Sequence, residues 1–384
     1  MYMSNSKVLI VYIFYFVLFV FVGVIMIDPT NKLFHMKEIT FILLMFITII
    51  FQRGKLYKDV FVSYFLLVLF AILSVLIGFV VFNEKIDSLP YFKSLLFGTV
   101  FYAISKLNIN EILRLNYFVS LVLATFVSIM LLSFVGGLFD LTALIERMSE
   151  TDTLFLSRRD FLGMDILMFY YRTMPFCFLA LIYALRKKYY LSSIIFLAPI
   201  VYGGSRTPML VALSIVLYLL YDRKSKLLKV FLGSIFIIGI FSAVVILKSA
   251  TDSEGGDEIK GGVASYLFNH SSVLSHGVGV FYWNPERKEM TNNTEVTYFE
   301  MLYQYGWLLF PFVLYIFLRP FFILYRKNND VDVRDFGIAY LLYLINAGTN
   351  PLLISSTGIY VFASALTVAA KVNEMSNKQN INLI

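Results

Sequence analysis

The chain has 384 residues, 59% of them hydrophobic and only 15% charged, which excludes an ordinary soluble domain because too little polar surface would remain to keep it in water. Its formal charge of +7 is spread over short segments between apolar runs, which excludes a nucleic-acid-binding patch. A bilayer offers no hydrogen bonds to bare backbone, and the apolar runs are continuous rather than alternating, so spanning helices are expected and a barrel is not.

In chain order, the first apolar run, 8–27, follows Lys7 in the manner of a signal sequence. It is long enough to span and lacks a small-x-small cleavage site, so it is read as a retained first span. Further spans are predicted at 33–51, 60–82, 89–105 and 115–139, then a polar loop at 140–161. Spans at 162–185, 189–202, 208–221 and 227–249 lead to a longer loop, 250–296, and the last spans are 297–318, 336–352 and 356–370. The expectation is an all-α polytopic membrane protein of about twelve helices, one transmembrane domain over 1–384, with its long loop before the tenth helix. A lone cysteine, Cys177, lies inside an apolar run, which leaves no disulfide within the chain and no thiolate metal cluster. Three histidines argue against a multi-histidine metal site, and no metal or other cofactor is expected.

Lysine and arginine in short loops stay cytoplasmic. With the amino terminus inside, the inner segments hold 19 of the 32 basic residues against 7 acidic ones, a balance of +12. Both long loops are then outside, and both termini cytoplasmic.

The residues able to carry chemistry fall on that outer side. The seventh span ends in Gly203-Gly204-Ser205-Arg206-Thr207-Pro208, where Thr207 suits a cap and Pro208 a first helical turn. Arg206 at the positive end of a helix is electrostatically misplaced unless an anion joins it; an arginine snorkelling to lipid headgroups is the alternative. Arg172 is expected two to three turns inside the sixth span, where a charge needs a partner or water, so it either lines a pathway or pairs with a carboxylate such as Asp165. Arg158 and Arg159 form a second basic cluster, suited to a ligand or to headgroups. The acidic run 252–258 lacks the spacing of a calcium loop and reads as a flexible linker. Later in that loop, His276, Tyr282, Trp283 and Arg287 suit a sugar lipid, rings stacking on sugars and cations meeting phosphate; Tyr282 and Trp283 equally suit anchors at the membrane interface. Thr297 and Glu300 have capping-box spacing, which assigns Glu300 to the helix start and leaves Glu295 as a proton acceptor or an arginine partner.

Three groups of residues resemble the bacterial O-antigen polymerase family, within the wider group that includes O-antigen ligases. They are Gly203-Gly204-Ser205-Arg206; His276-Gly277-Val278-Gly279 leading to Glu295-Val296-Thr297-Tyr298-Phe299-Glu300 and Gly306; and Asn346-Ala347-Gly348-Thr349-Asn350-Pro351 before Ser355-Ser356-Thr357-Gly358. Ligases typically show His-Asn where this chain has Thr294-Glu295, which favours a polymerase. The resemblance implies a GT-C-like glycosyltransferase architecture and metal-independent, inverting glycosyl transfer between undecaprenyl-diphosphate-linked oligosaccharides at the outer face of the bacterial inner membrane. It further implies a chain-length regulator and a flippase as protein partners. Under it, Arg206, Arg172, Arg158, Arg159 and Arg287 are expected to meet the diphosphate, Tyr282, Trp283 and Tyr298 the sugars, and Glu295, with His276 in reserve, to serve as base. A ligase and a secondary transporter are the alternatives.

Overall fold

The structure, a computed structural model, describes residues 5–51, 56–137, 140–161, 164–203, 206–223, 256–285, 288–292, 296–326, 330–348 and 352–381. Helices dominate it. α1 (Asn5–Ile27), α2 (Lys37–Phe51) and α3 (Lys58–Phe82) come first. A broken fourth segment follows: α4 (Leu89–Phe97), a 3-10 turn (Gly98–Val100) and α5 (Phe101–Ile104). Then come α6 (Ile109–Gly136) and a short α7 (Thr142–Glu150). Among the described residues, four helices are long and apolar enough to cross a membrane: 9–27 within α1, all of α3 and α6, and α12 (Thr297–Arg326).

The reason for these helices is visible on their faces. In α3 the buried residues Val60, Ser63, Leu67, Ala71, Ser74 and Gly78 recur every three or four positions. That stripe of mostly small side chains admits a close neighbour, while Phe61, Phe65, Leu76 and Phe79 point outward. Large apolar side chains exposed along α1, α2, α3 and α6 would be a liability in water and are what lipid requires. At the start of α6, Asn108 accepts from the Glu111 N–H while Glu111 accepts from the Asn108 N–H, a reciprocal cap that fixes its first turn.

The predicted sixth span is not one helix. Residues 154–171 form an antiparallel hairpin, β1 (Leu154–Phe161) and β2 (Met164–Tyr171), followed by a 3-10 turn (Met174–Phe176) and only then α8 (Cys177–Lys187). A short apolar run has no period that separates buried strand from helix, and 164–171 is rich in aromatic residues that pack well on a pleated surface. α9 (Tyr190–Tyr202) and α10 (Arg206–Arg223) continue the chain; α10 begins at Arg206, so Pro208 lies in its first turn as expected, whereas Thr207 is inside the helix rather than ahead of it as a cap. The predicted span 227–249 and the acidic run 252–255 lie outside the described residues. The long loop is partly ordered, with α11 (Gly256–His270) and a small hairpin, β3 (Tyr282–Asn284) and β4 (Glu289–Thr291). The described residues are therefore mainly helical with two two-stranded sheets rather than purely α.

α12 packs on α3, α11, α13 (Val331–Ala347) and α14 (Ser356–Ile381). α14 is the axis of the bundle: residues 356–370 are buried without a break, against α1, α3, α4, α5, α6, α12 and α13. A helix surrounded by protein tolerates small and hydroxylated residues such as Ser364 and Thr367, and Thr367 returns its hydroxyl to the Ala363 carbonyl.

Candidate functional site

One end of the bundle gathers the turn 28–36, the segment 83–88, the 154–171 hairpin, the segment 272–292 and the turn 352–355. Asp28, fully buried, accepts from the N–H groups of Lys32, Leu33 and Phe34 at 3.1, 3.0 and 2.8 Å, which folds the turn after α1 around one carboxylate. The exit of β2 is pinned to this turn: Thr173 donates to the Met26 carbonyl at 2.6 Å, the Tyr171 hydroxyl donates to the Ile27 carbonyl, and the Arg172 N–H donates to the Thr153 carbonyl at 3.0 Å. Arg172 thus leaves the position expected for it inside a spanning helix and stands at the end of a strand.

Among these segments lies a cavity of about 320 Å³. Lys37, Arg172, Asp87 and Glu300 bring charge to its wall, and Thr30, Tyr91, Ser94, Asn292, Gln304 and Ser356 bring hydrogen-bonding groups. Glu300 is mostly buried and accepts from Gln304 Nε2 at 3.1 Å, one helical turn on. The capping role expected for it is not what the structure has. α12 begins at Thr297, and the Glu300 N–H donates to the Val296 carbonyl at 3.0 Å, so Thr297 is inside the helix and the Glu300 side chain turns to the cavity.

Behind this wall α12 is broken. Gly306 has φ 66° and ψ 169°, a backbone that interrupts the helix, and a Cβ there would lie 2.5 Å from the Leu274 backbone. The groups freed by the break are matched by the inserted segment 272–277. The Gln304 carbonyl accepts from Ser74 at 2.9 Å, from the Gly277 N–H at 3.0 Å and from Ser275, while the N–H groups of Trp307 and Leu308 donate to the Ser272 and Val273 carbonyls at 3.0 and 3.1 Å. This is the condition for irregular backbone inside a membrane protein. Gly277 and Gly279, both at positive φ, let the segment run on against 83–88, where the Asp87 N–H donates to the Gly279 carbonyl at 2.9 Å.

Of the residues expected at the site, Arg172 lines the cavity. Glu295 and Arg287 lie outside the described residues, as do the side chains of Arg158, Arg159 and Arg206, whose main chains belong to β1 and the first residue of α10. His276 does not line the cavity. It is sandwiched between Phe82 and Tyr303, each ring 4.3 Å away, with Nδ1 3.3 Å from Glu84 Oε1, so it clasps the inserted segment to the end of α3. Tyr282 is buried against Tyr303, Trp283 is exposed, and the Tyr298 hydroxyl donates to the Leu344 carbonyl at 2.6 Å; none of the three is on the cavity wall. Lys37 and Asp87 escaped the sequence reading. Asp87 offered only a single charge in a predicted turn, which a solvated loop residue also gives, and Lys37 only a single charge near the start of the predicted span 33–51. Compared with protein-family models, with curated proteins and with solved structures, the chain matches none.

Proposed function

We propose that the chain polymerises lipid-linked oligosaccharide repeat units, as an inverting, metal-independent glycosyltransferase of the O-antigen polymerase kind at the outer face of the bacterial inner membrane. The observation that carries this reading is a cavity at the loop end of a membrane bundle that is lined by both an arginine, Arg172, and a carboxylate, Glu300. Glycosyl transfer needs both charges. The acceptor hydroxyl oxygen attacks the anomeric carbon of the donor chain, the bond from that carbon to the diphosphate oxygen breaks, and the electron pair leaves with undecaprenyl diphosphate. Cations stabilise the charge that develops there, with Arg172 joined by Arg206. The hydroxyl proton passes to a carboxylate, and the candidates are Glu295 and Glu300. About twelve spans, cytoplasmic termini and an outward-facing cavity belong to the same proposal and rest on the +12 balance. A cysteine placed at Gly261, where a Cβ meets nothing within 4 Å, tests the orientation: labelling by an impermeant thiol reagent in intact, outer-membrane-permeabilised cells is expected. Labelling only after inner-membrane lysis reverses it.

Deletion of the gene, followed by a gel of surface polysaccharide, tests the activity. Loss of the long ladder with accumulation of single repeat units is expected, whereas accumulation of long lipid-linked chains indicates a ligase instead.

A secondary transporter is the second reading, and the break at Gly306 favours it, since discontinuous helices commonly hold transported substrates. In transporters the unwound backbone is what binds. Here the Gln304 carbonyl and the Trp307 and Leu308 N–H groups are taken up by 272–277 and by Ser74, which weighs toward the enzyme. Uptake of lipid-free oligosaccharide by vesicles containing the purified protein would reverse that judgement.

A further inference from the structure

Lys37 opens α2, is only 6% exposed, and lies on the cavity wall. Its Nζ donates to the Pro29 carbonyl at 2.7 Å and to Ser356 Oγ at 3.3 Å, and stands 5.5 Å from the centre of the Phe97 ring. All three partners are neutral. An ammonium has three donors, and among the described residues no carboxylate comes within 4 Å of this one. The carboxylates whose field reaches it, Asp28 and Glu38, are engaged elsewhere. Asp28 holds three backbone N–H groups of its own turn, and Glu38 is held by Lys93 and Asn31.

Lys93 and Arg172 add to the positive potential at Lys37, while Asp87 and Glu300 stand elsewhere on the cavity wall. Lys37 is the first residue of α2 and its acceptor Ser356 the first of α14, so the ammonium stands at two helix N-termini, each with its own partial positive charge. A charge buried without an opposite charge is strongly disfavoured, and a fold that keeps one facing a cavity is organised for an anion that arrives from outside.

We propose that Lys37, seated on Pro29 and Ser356, is the anion-binding residue of this cavity and receives an oxyanion of the ligand, a phosphate ester or a sugar carboxylate, beside Arg172. The inference rests on the proposed reaction only for the source of that oxyanion. A lipid diphosphate and an acidic sugar of the repeat unit offer the same chemistry.

The test uses the full chain purified in detergent, with thermal unfolding followed by the fluorescence of its two tryptophans and titrated with inorganic diphosphate or with glucuronate. One of these anions is expected to raise the Tm of the wild type, diphosphate pointing to the lipid and glucuronate to the glycan. Lys37→Met, similar in shape and uncharged, should bind the same anion at least about tenfold more weakly, the loss of one charge-assisted hydrogen bond. Its Tm without anion should equal or exceed that of the wild type. Equal anion affinity in the variant, a lower Tm without anion, or no response of the wild type to either anion overturns the proposal. Should Lys37→Met fail to accumulate, reductive methylation of the wild type read by peptide mass spectrometry decides: the anion should slow labelling of Lys37 and leave Lys93 unaffected, and unprotected Lys37 overturns the proposal. An unchanged polysaccharide ladder in the deletion strain with Lys37-dependent anion binding intact refutes the polymerase and leaves this site standing. The converse result refutes the site alone.

Discussion

Both ends of the bundle pair charges, as Lys93 does with Glu38 at the cavity end, but that end also keeps a buried ammonium, Lys37, with no carboxylate within 4 Å among the described residues. At the end away from the cavity, charges meet partners across helices. Arg186 makes a two-pronged contact with Asp335 at 2.5 and 2.7 Å, and Tyr218 donates to the same carboxylate at 3.0 Å, tying α8, α10 and α13 together. Lys187 reaches Asp332 at 2.6 Å, Arg319 reaches Asp59 at 3.4 Å, and Lys371 donates to the Ser105 carbonyl at 2.8 Å. At the cavity end, Lys37, Arg172, Asp87 and Glu300 surround a space, and no carboxylate among the described residues neutralises Lys37. Paired charges hold helices in register. A charge turned toward a cavity contributes little to the fold and is retained for something that enters.

That contrast makes different demands on substitution at the two ends. The largest effect is expected for Arg172→Ala: long polysaccharide chains should vanish while protein abundance in the membrane, measured by immunoblot, is kept. Loss of the protein together with the chains would move Arg172 to the structural side of the comparison. Arg206→Ala should behave likewise, with Arg206→Lys restoring part of the ladder because lysine lacks the planar fork that matches a diphosphate.

The two carboxylates near the start of α12 sharpen the comparison further. Glu295→Gln is expected to lower the polymerisation rate by about 10² to 10⁴, the usual contribution of a general base. Glu300→Gln keeps a group that can bond Gln304 but removes the charge from the cavity wall, and a drop of roughly tenfold is expected, comparable with one charge-assisted hydrogen bond. An inactive Glu300→Gln beside a normal Glu295→Gln, both at wild-type abundance, would hand the base role to Glu300.

At the opposite end the readout is stability rather than activity. Asp335→Asn removes the buried carboxylate that the half-buried Arg186 grips and should destabilise the protein by about 3 kcal/mol, seen as a lower Tm in detergent with the ladder's pattern unchanged. Gly306→Ala tests the frame that supports the cavity. Its positive φ and the Leu274 backbone in its path predict a loss of roughly 1–3 kcal/mol with a fall in activity, because Glu300 and Gln304 sit on the turn just before the break. The smallest effect belongs to Lys187→Ala, a partly exposed pair expected to change stability by under about 1 kcal/mol; a larger shift would mean that surface pairs also hold this end together.

What the sequence determined by itself is the part governed by local rules. Continuous apolar runs must become helices where no water can satisfy the backbone, so most of the helices and the position of the long loop before α12 could be read from residue order. The placement of charge on one side followed from counting, and Arg172 stood out because an arginine in an apolar run demands a reason. Tertiary structure decided the rest. It made 164–171 a strand, since an apolar run of that length has no period that separates strand from helix, and with that it moved Arg172 from a helix interior to the cavity. It put the least conspicuous of the late segments, α14, at the centre of the bundle, because a helix enclosed by protein needs small residues more than greasy ones. It turned Glu300 away from its own helix start, buried His276 between two rings, and drew Lys37 and Asp87 to one cavity from turns 50 residues apart. A lone charge in a turn or at a helix start has no spacing to betray its role, and only the packing of distant segments shows whether a counter-charge was provided.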